Sequence, residues 1–441
     1  MLWPHQARAV EMLQARPNCA LFWEQGCGKT APLVVAGQMV GGRQLWVTLA
    51  SLRLQTAREV RRWRTDRPRM QVVLEGSDRI RQDAQVVIVS FDHMRMEKIW
   101  KQLFRMSWDV ITVDEAHRLA SRGARTTKAM YGARVTSKGA LIRRAKHVWI
   151  STGTPIVNWP HEIWTHVSRL WPQLCDDAPT YDEWRDRFCH VVRSDYGEQI
   201  VGGKEPVELM RRLRQMGSRL RLEDCVDIPP LTVDQDTVAG KDVDLDAVDE
   251  RVAHEVRVIL ARQEGEDWDP AMLEQLGSPV TTMRRLIAGA KAPAVAERVL
   301  EELAGGADRL LVFGCHVEPL QALHEHLQAE AVPTGLIIGA TSPATRNQLL
   351  RDFDAGKLKV LVGNIQAMGT GLNMQACRRA IFLDASWSPA QNAQAIGRIY
   401  RAGQTRPCHV TFVSLAGSVD DNVQRVLARK ARFIGKLEGW Q

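Results

Sequence analysis

The chain has 441 residues, of which 45% are apolar and 25% charged, and its formal net charge at pH 7 is +8. This length exceeds what one hydrophobic core usually supports, so two or three domains are expected, and the apolar content excludes a disordered chain. The longest apolar runs are too short to cross a membrane and the first residues contain no secretory signal core, which predicts a cytoplasmic protein with no membrane partner.

The cysteine and arginine patterns narrow the class of protein further. The eight cysteines are scattered without a CxxC pair, which argues against a structural zinc site and indicates reduced, mostly buried thiols. The basic balance fits a polyanionic partner, and arginines cluster at 61–69 and 211–221. An ordinary solvated face is the competing interpretation of each cluster.

Short β-branched runs alternate with helix-like segments along the first third of the chain. The strand candidates there are residues 19–23, 44–50, 84–91, 109–117 and 147–154. This rhythm is typical of a parallel sheet covered by helices.

The turn after the first of these strands reads EQGCGKT, residues 24–30. A glycine-rich turn between a strand and a helix exposes backbone N–H groups without partners, and with the positive end of the helix these form an anion cradle. Lys29 would reach the β and γ phosphates of a nucleotide there, and the Thr30 hydroxyl would bind Mg²⁺. The strict motif has glycine where this chain has Trp23, so a glycine-rich turn with an unrelated lysine is the competing interpretation.

Two later strands of the first third also end in polar residues. The run ITV is followed by Asp114 and Glu115, at the sheet edge where ligands of open α/β sheets bind. Asp114 would hold Mg²⁺, directly or through water, and Glu115 would polarise the attacking water. The hydroxyl residues of STGTP at 151–155 could sense the γ-phosphate or simply cap a helix.

The last third repeats the alternation of strands and helices. Its strand candidates are residues 309–314, 334–340, 359–364, 379–385 and 409–416. The region between these two parts of the chain, roughly residues 166–290, is rich in Trp, Arg and acidic residues. Its apolar residues have helical spacing, and it contains no clear series of strands. The predicted fold is α/β, with a first lobe at 1–165, a helical insertion and linker at 166–290, and a second lobe at 291–441 that ends in a basic amphipathic helix.

The second lobe carries a polar helix candidate, AQAIGRIYRAGQ at 393–404. On a helix Gln394, Arg398 and Arg401 would share one face, because they are spaced four and three residues apart. An arginine finger stabilises the charge that develops on a γ-phosphate, although a basic helix face without any phosphate would show the same pattern. If these residues complete the site of Lys29, ATP would lie between the lobes and its hydrolysis would drive their closure and release.

Together these motifs resemble those of superfamily 2 helicases. EQGCGKT, DEAH, STGTPIVN and QAIGRIYRAGQ look like motifs I, II, III and VI. The chain is more narrowly similar to the Swi/Snf-type DNA translocases, because LWPHQARAVEML, RLRLEDCVDIPP and the stretch from GTGLNMQ to IYRAGQ also match, so that the resemblance covers nearly the whole chain. It implies two RecA-like lobes, ATP and Mg²⁺ as cofactors, and DNA-stimulated ATP hydrolysis coupled to movement along duplex DNA.

The resemblance also implies roles for residues by their positions in the motifs. The nucleotide-binding set would be Gln6 at the adenine and Gly26, Cys27, Gly28, Lys29, Thr30 and Gly371 of the loops. The residues that would couple the nucleotide site to DNA are His117, Thr152, Gly153 and Thr154. The residues that resemble motif V are Gly369, Gly371 and Asn373. The site would be completed by Gln394, Arg398 and Arg401. Cys27, Ser388 and Tyr400 stand where the family usually has leucine, asparagine and histidine.

Contacts to DNA phosphates would position such a motor without reading base sequence. The candidate contacts are Ser51, Arg53, Arg61, Arg62, Thr341, Ser342 and Thr370. Ordinary surface is the competing interpretation of each. We expect little sequence preference, since a motor must tolerate every base that it passes.

The leading hypothesis is a monomeric, DNA-dependent ATPase that translocates on double-stranded or branched DNA. A helicase that separates DNA or RNA strands is the first alternative, because DEAH occurs in such enzymes as well. An ATP-gated nucleic-acid clamp with little turnover is the second. The bare motor, without an appended reader or nuclease segment, suits a bacteriophage or bacterial source better than a chromatin remodeller.

Overall fold

The structure is a computed structural model that describes residues 1–133, 137, 139–194, 197–238, 278–368, 374–416, 418, 420, 423–424, 427–428, 430–432 and 434. The described residues divide into two compact units. Unit 1 comprises Met1–Val191, Gly202–Asp227 and the described part of Phe433–Gln441, and unit 2 comprises the described parts of Val192–Val201 and Ile228–Arg432. Each unit contains its own parallel sheet.

The chain up to Asp227 alternates strands and helices from its first residues. Its strands are β1 (Asn18–Trp23), β2 (Gln44–Thr48), β3 (Met70–Val72), β4 (Val86–Ser90), β5 (Trp108–Asp114), β6 (Ala145–Ser151), β7 (Cys189–Ser194), β8 (Gly197–Gly203) and β9 (Gly217–Leu220). Its helices are α1 (Pro4–Ala15), α2 (Thr30–Val40), α3 (Arg53–Trp63), α4 (Phe91–Met94), α5 (Glu97–Arg105), α6 (Arg125–Tyr131), α7 (Trp164–Leu170), α8 (Tyr181–Phe188), α9 (Pro206–Met216) and α10 (Leu222–Cys225). The five strands predicted for the first third are confirmed as β1, β2, β4, β5 and β6.

Seven strands form the sheet of unit 1 in the order β3-β4-β2-β5-β6-β1-β9, and every adjacent pair is parallel. Strands β2 and β4 are buried at every residue, which explains why they read as continuous apolar runs rather than alternating ones. Strands β5, β6 and β1 are neighbours in this order, so the residues that follow them in the chain meet at one edge of the sheet. That edge positions the candidate site.

Strand β9 departs most from the sequence analysis, which found no strand series between residues 166 and 290. It pairs in parallel with β1 and adds an edge strand to the sheet of unit 1. The position of Gly217 requires glycine, since a Cβ there would lie 1.8 Å from the Ala20 carbonyl oxygen. A four-residue strand that contains an arginine has neither the length nor the apolar run that marks a buried strand in a sequence. Strands β7 and β8, which form a separate two-stranded sheet, were missed as well.

Unit 2 repeats the α/β alternation. Its strands are β10 (Leu231–Val238), β11 (Leu310–Gly314), β12 (Thr334–Ile337), β13 (Val360–Asn364), β14 (Arg379–Phe382) and β15 (Cys408–Leu415). Its helices are α11 (Ser278–Ala304), α12 (Val317–Ala329), α13 (Pro343–Asp354), α14 (Ile365–Met368) and α15 (Pro389–Ile396). The six strands form one sheet of order β10-β15-β14-β11-β13-β12, in which every adjacent pair is again parallel. The expectation of a second α/β lobe is therefore confirmed, with β10 as an additional strand, while its predicted bounds stay a prediction.

The sheet of unit 2 has a hydrophobic core on both of its faces. Val312 and Phe313, successive residues of β11, belong to two different clusters of buried apolar side chains. This follows from the alternation of side chains along a strand. Val295 of α11 joins the first cluster, and Phe382 of β14 joins the second. Burial on both faces explains why the strands of this lobe were readable as apolar runs.

Within the described residues, no helix is both long enough and apolar enough to span a membrane. The basic helix predicted from residue 418 onward falls largely outside the described residues.

Candidate active site

The loop after β1 has a backbone that favours glycine at two positions. Gly26 and Gly28 have φ angles of 93° and 73°, a left-handed conformation that other residues rarely adopt. Gly28 is also confined in space, since a Cβ there would lie 2.4 Å from the Gln6 side-chain nitrogen. Thr30 begins α2, so the loop leads directly into a helix N-terminus, where partnerless N–H groups and the helix dipole favour an anion.

The Lys29 ammonium is folded back over this loop. It donates hydrogen bonds to the carbonyl oxygens of Trp23 and Glu24, at 2.8 and 3.1 Å. These carbonyls belong to the end of β1 and the start of the loop. They hold a positive charge beside the glycines, and a lysine ammonium can exchange such neutral acceptors for phosphate oxygens with a gain in electrostatic energy.

Two side chains of α1 tie that helix to the loop. The Gln6 side chain donates through Nε2 to the Gly28 carbonyl at 3.1 Å and accepts from the Trp3 backbone N–H at 2.8 Å. The Nε2 atom of His5 lies 3.1 Å from the Cys27 carbonyl oxygen. Gln6 therefore helps to position the loop, while the adenine contact proposed for it stays a prediction.

Asp114 ends β5 beside the end of β6. Ser151, its partner in the register of the two strands, donates through Oγ to Asp114 Oδ1 at 2.6 Å. Burial raises the pKa of Asp114, and the neighbouring Glu115 carboxylate raises it further. A bound divalent cation would reverse this effect and hold the carboxylate ionised.

Glu115 has an unusual backbone conformation for a residue with a side chain. Its φ and ψ angles are 55° and 48°, the left-handed region, which costs about 1–2 kcal/mol for a residue other than glycine. This turn leads into a short 3₁₀ segment, Ala116–Leu119. The Glu115 Oε2 atom is buried 3.4 Å from His117 Nδ1, without a hydrogen-bond partner in the described part of the chain. Backbone strain combined with an unsatisfied carboxylate oxygen is typical of a functional site.

His117 connects the end of β5 to the loop after β6. Its Nδ1 atom lies 3.0 Å from Thr152 Oγ1, and the same hydroxyl oxygen accepts the backbone N–H of Thr154 at 3.1 Å. Burial lowers the pKa of His117 to about 4, so the imidazole is neutral near pH 7 and its approach to Glu115 is not an ion pair. The structure thus brings together three of the residues proposed for coupling.

The polar atoms at this edge fit Mg²⁺ and nucleotide phosphates. Asp114 and Thr30 offer oxygen ligands, and Mg²⁺ usually combines one or two carboxylates with substrate phosphates. Within the described residues, no cluster of three or more His, Cys, Asp or Glu side chains could hold a metal by itself. The Thr154 hydroxyl, like Glu115 Oε2, is buried with no hydrogen-bond partner among those residues. Both atoms are available to a ligand.

In unit 2, helix α15 ends at Ile396, earlier than the sequence indicates. Gln394 lies on this helix, whereas Arg398 and Arg401 lie in the turns that follow it. The prediction that all three share one helical face is therefore wrong. Beyond Gly397 the N–H groups of Arg398 and Ile399 donate to carbonyls three residues earlier, at 3.1 and 3.0 Å, which is the tighter 3₁₀ spacing rather than the α-helical one.

Arg398 is 5% exposed, and Arg401 is half-buried. Burial lowers the pKa of Arg401, although a guanidinium stays charged in proteins. The motif V candidates Gly369, Gly371 and Asn373 lie outside the described residues. The predicted action of Gln394, Arg398 and Arg401 on a nucleotide stays a prediction.

Comparison with known proteins decides the family. Residues 5–228, just over half of the chain, match the model of the SNF2-related domain. The chain belongs to the SNF2-related family. Residues 294–403 of this SNF2-related chain also match the helicase conserved C-terminal domain.

Several curated relatives are similar over most of the SNF2-related chain. The SWI/SNF-related matrix-associated actin-dependent regulator of chromatin subfamily A-like protein 1 of Xenopus tropicalis is 27% identical, over 99% of this chain and 45% of its own length. The DNA annealing helicase and endonuclease ZRANB3 of Homo sapiens is 23% identical, over 96% of this chain and 39% of its own. The ISWI chromatin-remodeling complex ATPase ISW1 of Saccharomyces cerevisiae is 24% identical, over 80% and 31%. The chain spans less than half the length of these relatives.

The SNF2-related chain places its candidate DNA contacts of unit 1 in different surroundings. Arg61 is exposed on α3, as is Arg62, which lies 3.8 Å from a carboxylate oxygen of Glu59. Ser51 is exposed just before this helix. Arg53 is turned inward, since its guanidinium donates to the Ala50 carbonyl at 3.0 Å and to two further carbonyls after β3. Burial lowers the pKa of Arg53. Its predicted DNA contact would require these bonds to break.

Two candidate DNA contacts of unit 2 make backbone hydrogen bonds at or just before the start of α13. Ser342 is the N-cap of α13, and its Oγ accepts the Thr345 backbone N–H at 3.1 Å. Thr341 accepts the Ile338 N–H at 3.0 Å through its side chain. Capping leaves the Ser342 side chain exposed, so a phosphate contact stays a prediction. Thr370 lies outside the described residues.

Several arginines of the cluster at 211–221 form ion pairs with acidic residues of unit 1. Arg212 is 3% exposed and pairs with Asp177 and Glu208 at 2.6 and 2.8 Å. Arg221 pairs with Asp224 at 3.1 Å. These ion pairs give Arg212 and Arg221 a structural role within unit 1, while Arg211 and Arg214 of the cluster are exposed, so a polyanion surface here stays a prediction.

Sequence reasoning also missed residues that support the site. Arg219 of β9 donates to the Gly153 carbonyl at 3.4 Å and lies 3.7 Å from the Glu24 carboxylate. Glu24 in turn accepts the Leu222 N–H at 2.8 Å. Ser151, bonded to Asp114, was seen only as part of STGTP. Arg219, Glu24 and Ser151 share one feature: each reaches its partner through the pairing of neighbouring strands. A single sequence does not show which strands are neighbours.

Buried histidines should make the stability of unit 1 depend on pH. Tyr131 Oη lies 2.8 Å from His166 Nδ1, and burial lowers the pKa of His166 to about 3. The unfolded chain binds this proton at the ordinary pKa of about 6.5. The contribution is therefore complete above pH 6.5 and is lost as the pH falls toward 3, with a loss of about 2 kcal/mol at pH 5.

Urea unfolding followed by tryptophan fluorescence, which reports mainly on unit 1, measures this effect between pH 7.5 and 5. The free energy of unfolding of His166→Gln should vary with pH by about 2 kcal/mol less than that of the wild-type chain. His190→Gln, at an exposed histidine, is the matched control and should keep the wild-type slope. Parallel curves for His166→Gln and wild type would contradict the assignment.

Proposed function

We propose that the chain is a monomeric, cytoplasmic, DNA-dependent ATPase that translocates on double-stranded or branched DNA and thereby remodels DNA or protein–DNA complexes. The observation that carries this proposal is the position of Lys29, Asp114 and Glu115 at the ends of β1 and β5, the two neighbours of β6 in one sheet, in a member of the SNF2-related family. The relatives of the chain include the DNA annealing helicase and endonuclease ZRANB3 and the ISWI chromatin-remodeling complex ATPase ISW1.

Binding would begin at the loop after β1. Its N–H groups and the N-terminus of α2 would receive the phosphates, and Lys29 would move from two carbonyls to the β and γ phosphate oxygens. Thr30 and Asp114 would hold Mg²⁺. This ion, when bound, neutralises charge on the phosphates as the bond to the γ-phosphorus breaks.

Hydrolysis needs a group that orients the attacking water. Glu115 Oε2 is buried, carries no hydrogen bond from the described residues, and belongs to a strained turn that fixes its direction. It would accept a hydrogen bond from the water as the water oxygen attacks the γ-phosphorus and ADP leaves. His117 and Thr152 adjoin this carboxylate, so loss of the γ-phosphate would be felt in the loop after β6.

ATP turnover measured with no nucleic acid, duplex DNA, single-stranded DNA, forked DNA and RNA tests the proposal. Duplex DNA should stimulate turnover most strongly, and ATP should drive displacement of a third strand from a triplex on that duplex. Turnover that does not respond to duplex DNA would overturn the proposal. Unwinding of forked substrates with single-strand stimulation would favour a strand-separating helicase, and salt-dependent DNA binding without phosphate release would favour an ATP-gated clamp.

Lys29→Ala should weaken ATP binding about 10- to 100-fold, because a hydrogen bond to a charged group contributes about 1.5–3 kcal/mol. Titration with a fluorescent ATP analogue measures the dissociation constant. Lys98→Ala is the control, since this exposed lysine of the same unit donates to the Ser77 carbonyl at 3.0 Å, away from the loop. Equal affinities for Lys29→Ala and wild type would remove Lys29 from the phosphate site.

A further inference from the structure

Two thiols meet beside the phosphate loop. Cys27 lies in the loop between its two left-handed glycines and is fully buried, at 0% exposure. Cys225 is the last residue of α10 and is partly exposed to solvent. The thiols of Cys27 and Cys225 interact electrostatically, although the two residues are far apart in the chain.

Strand pairing holds the two thiols together. In the register of β1 and β9, Trp23 lies opposite Leu220, so the loop and α10 leave the sheet side by side. Glu24 then fastens one segment to the other. Its backbone N–H donates to the Leu220 carbonyl at 2.9 Å, and its carboxylate accepts the Leu222 N–H at 2.8 Å. The Cys27 sulfur itself lies 3.8 Å from the Leu220 carbonyl oxygen. The contact is therefore built into the fold of unit 1.

The environment makes the two sulfurs unequal. The interaction with the Cys27 thiol lowers the pKa of Cys225, whereas the same interaction and burial raise the pKa of Cys27. Each of the other six cysteines has a pKa raised by burial: Cys19, Cys175, Cys189, Cys315, Cys377 and Cys408. Cys225 thus combines partial exposure with the most accessible thiolate, the two properties that select a cysteine for oxidation.

We propose that Cys27 and Cys225 form an oxidisable pair whose disulfide locks the phosphate loop against nucleotide. Hydrogen peroxide is the oxidant. The Cys225 thiolate attacks one peroxide oxygen, the O–O bond breaks, and the products are a sulfenic acid and, after protonation of hydroxide, water. The Cys27 sulfur then attacks the Cys225 sulfur, the S–O bond breaks, and the Cys27 proton leaves with the hydroxyl group as a second water. Two thiols and one peroxide give one disulfide and two waters.

The consequence for nucleotide rests on the proposed ATP site. Cys27 is the residue between Gly26 and Gly28, so a covalent bond from its side chain to α10 fixes the middle of the loop. The loop holds Lys29 on its own carbonyls, and phosphate binding requires that lysine and the neighbouring N–H groups to rearrange. A loop held in a state that does not bind loses affinity in proportion to the population of the competent state.

Peptide mapping after oxidation tests the disulfide without reference to ATP. The reduced full chain is treated with hydrogen peroxide, its remaining thiols are alkylated, and digestion without reductant should yield a cross-linked peptide pair containing Cys27 and Cys225, with the loss of two hydrogens. Reductant should separate the pair. Alkylation of both thiols after peroxide treatment, or a pairing with other cysteines, would overturn the proposal.

Binding of a fluorescent ATP analogue tests the lock. Affinity should fall about tenfold or more on oxidation and return with reductant. Cys225→Ser should bind as the reduced wild type does and lose the response to peroxide. Cys315→Ser, at another partly exposed cysteine, should respond as the wild type does. A cross-linked pair with unchanged affinity would refute the lock, whereas a reduced wild-type chain that binds no nucleotide would refute the proposed function and leave the mapping result intact.

Discussion

Replacing Arg401 with alanine is expected to reduce ATP turnover about 10³- to 10⁵-fold while ATP binding stays nearly unchanged. An arginine finger acts on charge that appears in the transition state, so its loss is felt in kcat rather than in ground-state affinity. Arg401 is half-buried, and its charge is retained in spite of the burial that lowers its pKa. Steady-state turnover with duplex DNA, together with a binding titration of an ATP analogue, separates the two effects.

Arg406→Ala is the matched control for this experiment. Arg406 lies five residues further on, is exposed, and pairs with Asp308 at 2.6 Å. An exposed ion pair contributes little to stability, so this variant should retain wild-type turnover. Arg401→Lys adds a second test, because it keeps the charge without the planar fork of the guanidinium. Normal hydrolysis by Arg401→Ala would show that the finger was assigned to the wrong residue.

Glu115→Gln should lower turnover about 10²- to 10⁴-fold and leave the nucleotide bound. The substitution preserves the size of the side chain and the left-handed backbone, but the amide oxygen is a far weaker proton acceptor than the carboxylate oxygen that it replaces. Single-turnover hydrolysis with excess enzyme measures the chemical step directly. Phosphate release should collapse while retention of labelled ATP on the protein increases.

A carboxylate outside the site provides the control for Glu115. Glu97 on α5 is exposed and pairs with Lys101 at 2.5 Å. Glu97→Gln makes the same chemical change in the same unit and should leave turnover within about twofold of wild type, as surface substitutions usually do. If Glu115→Gln turns over ATP at a rate similar to that of Glu97→Gln, then another group orients the water.

The fold was largely readable because parallel strands are buried on both faces. The run VVIVS of β4 and the run LLVFG of β11 are buried at every residue, and nothing in either sequence competes with a strand. Strand β9 was not readable for the opposite reason. It is short, contains Arg219, and is a strand only because β1 offers it a backbone edge. The end of α15 was not predicted because backbone hydrogen bonds change to a three-residue spacing after Gly397, and side-chain spacing does not show this change.

The candidate site divides in the same way. Lys29, Asp114 and Glu115 could be proposed from the sequence because a phosphate loop and an acid pair are each formed by consecutive residues. Arg219, in contrast, lies on β9, which β1 separates from β6, and it donates to the Gly153 carbonyl after β6. The sequence alone placed this arginine in a basic surface cluster. A contact of that kind depends on strand order.

The sequence by itself determined that this chain builds two parallel sheets and that the turns after β1 and β5 carry residue types suited to binding phosphate and metal, because apolar runs and short motifs are local properties of the chain. Only the tertiary structure decided which strands became neighbours. That choice placed Ser151 against Asp114, His117 against Thr152, and Cys27 against Cys225. The physical reason is that hydrogen bonds and thiol contacts act over a few ångströms in space, and sheet order, rather than position along the chain, sets those distances.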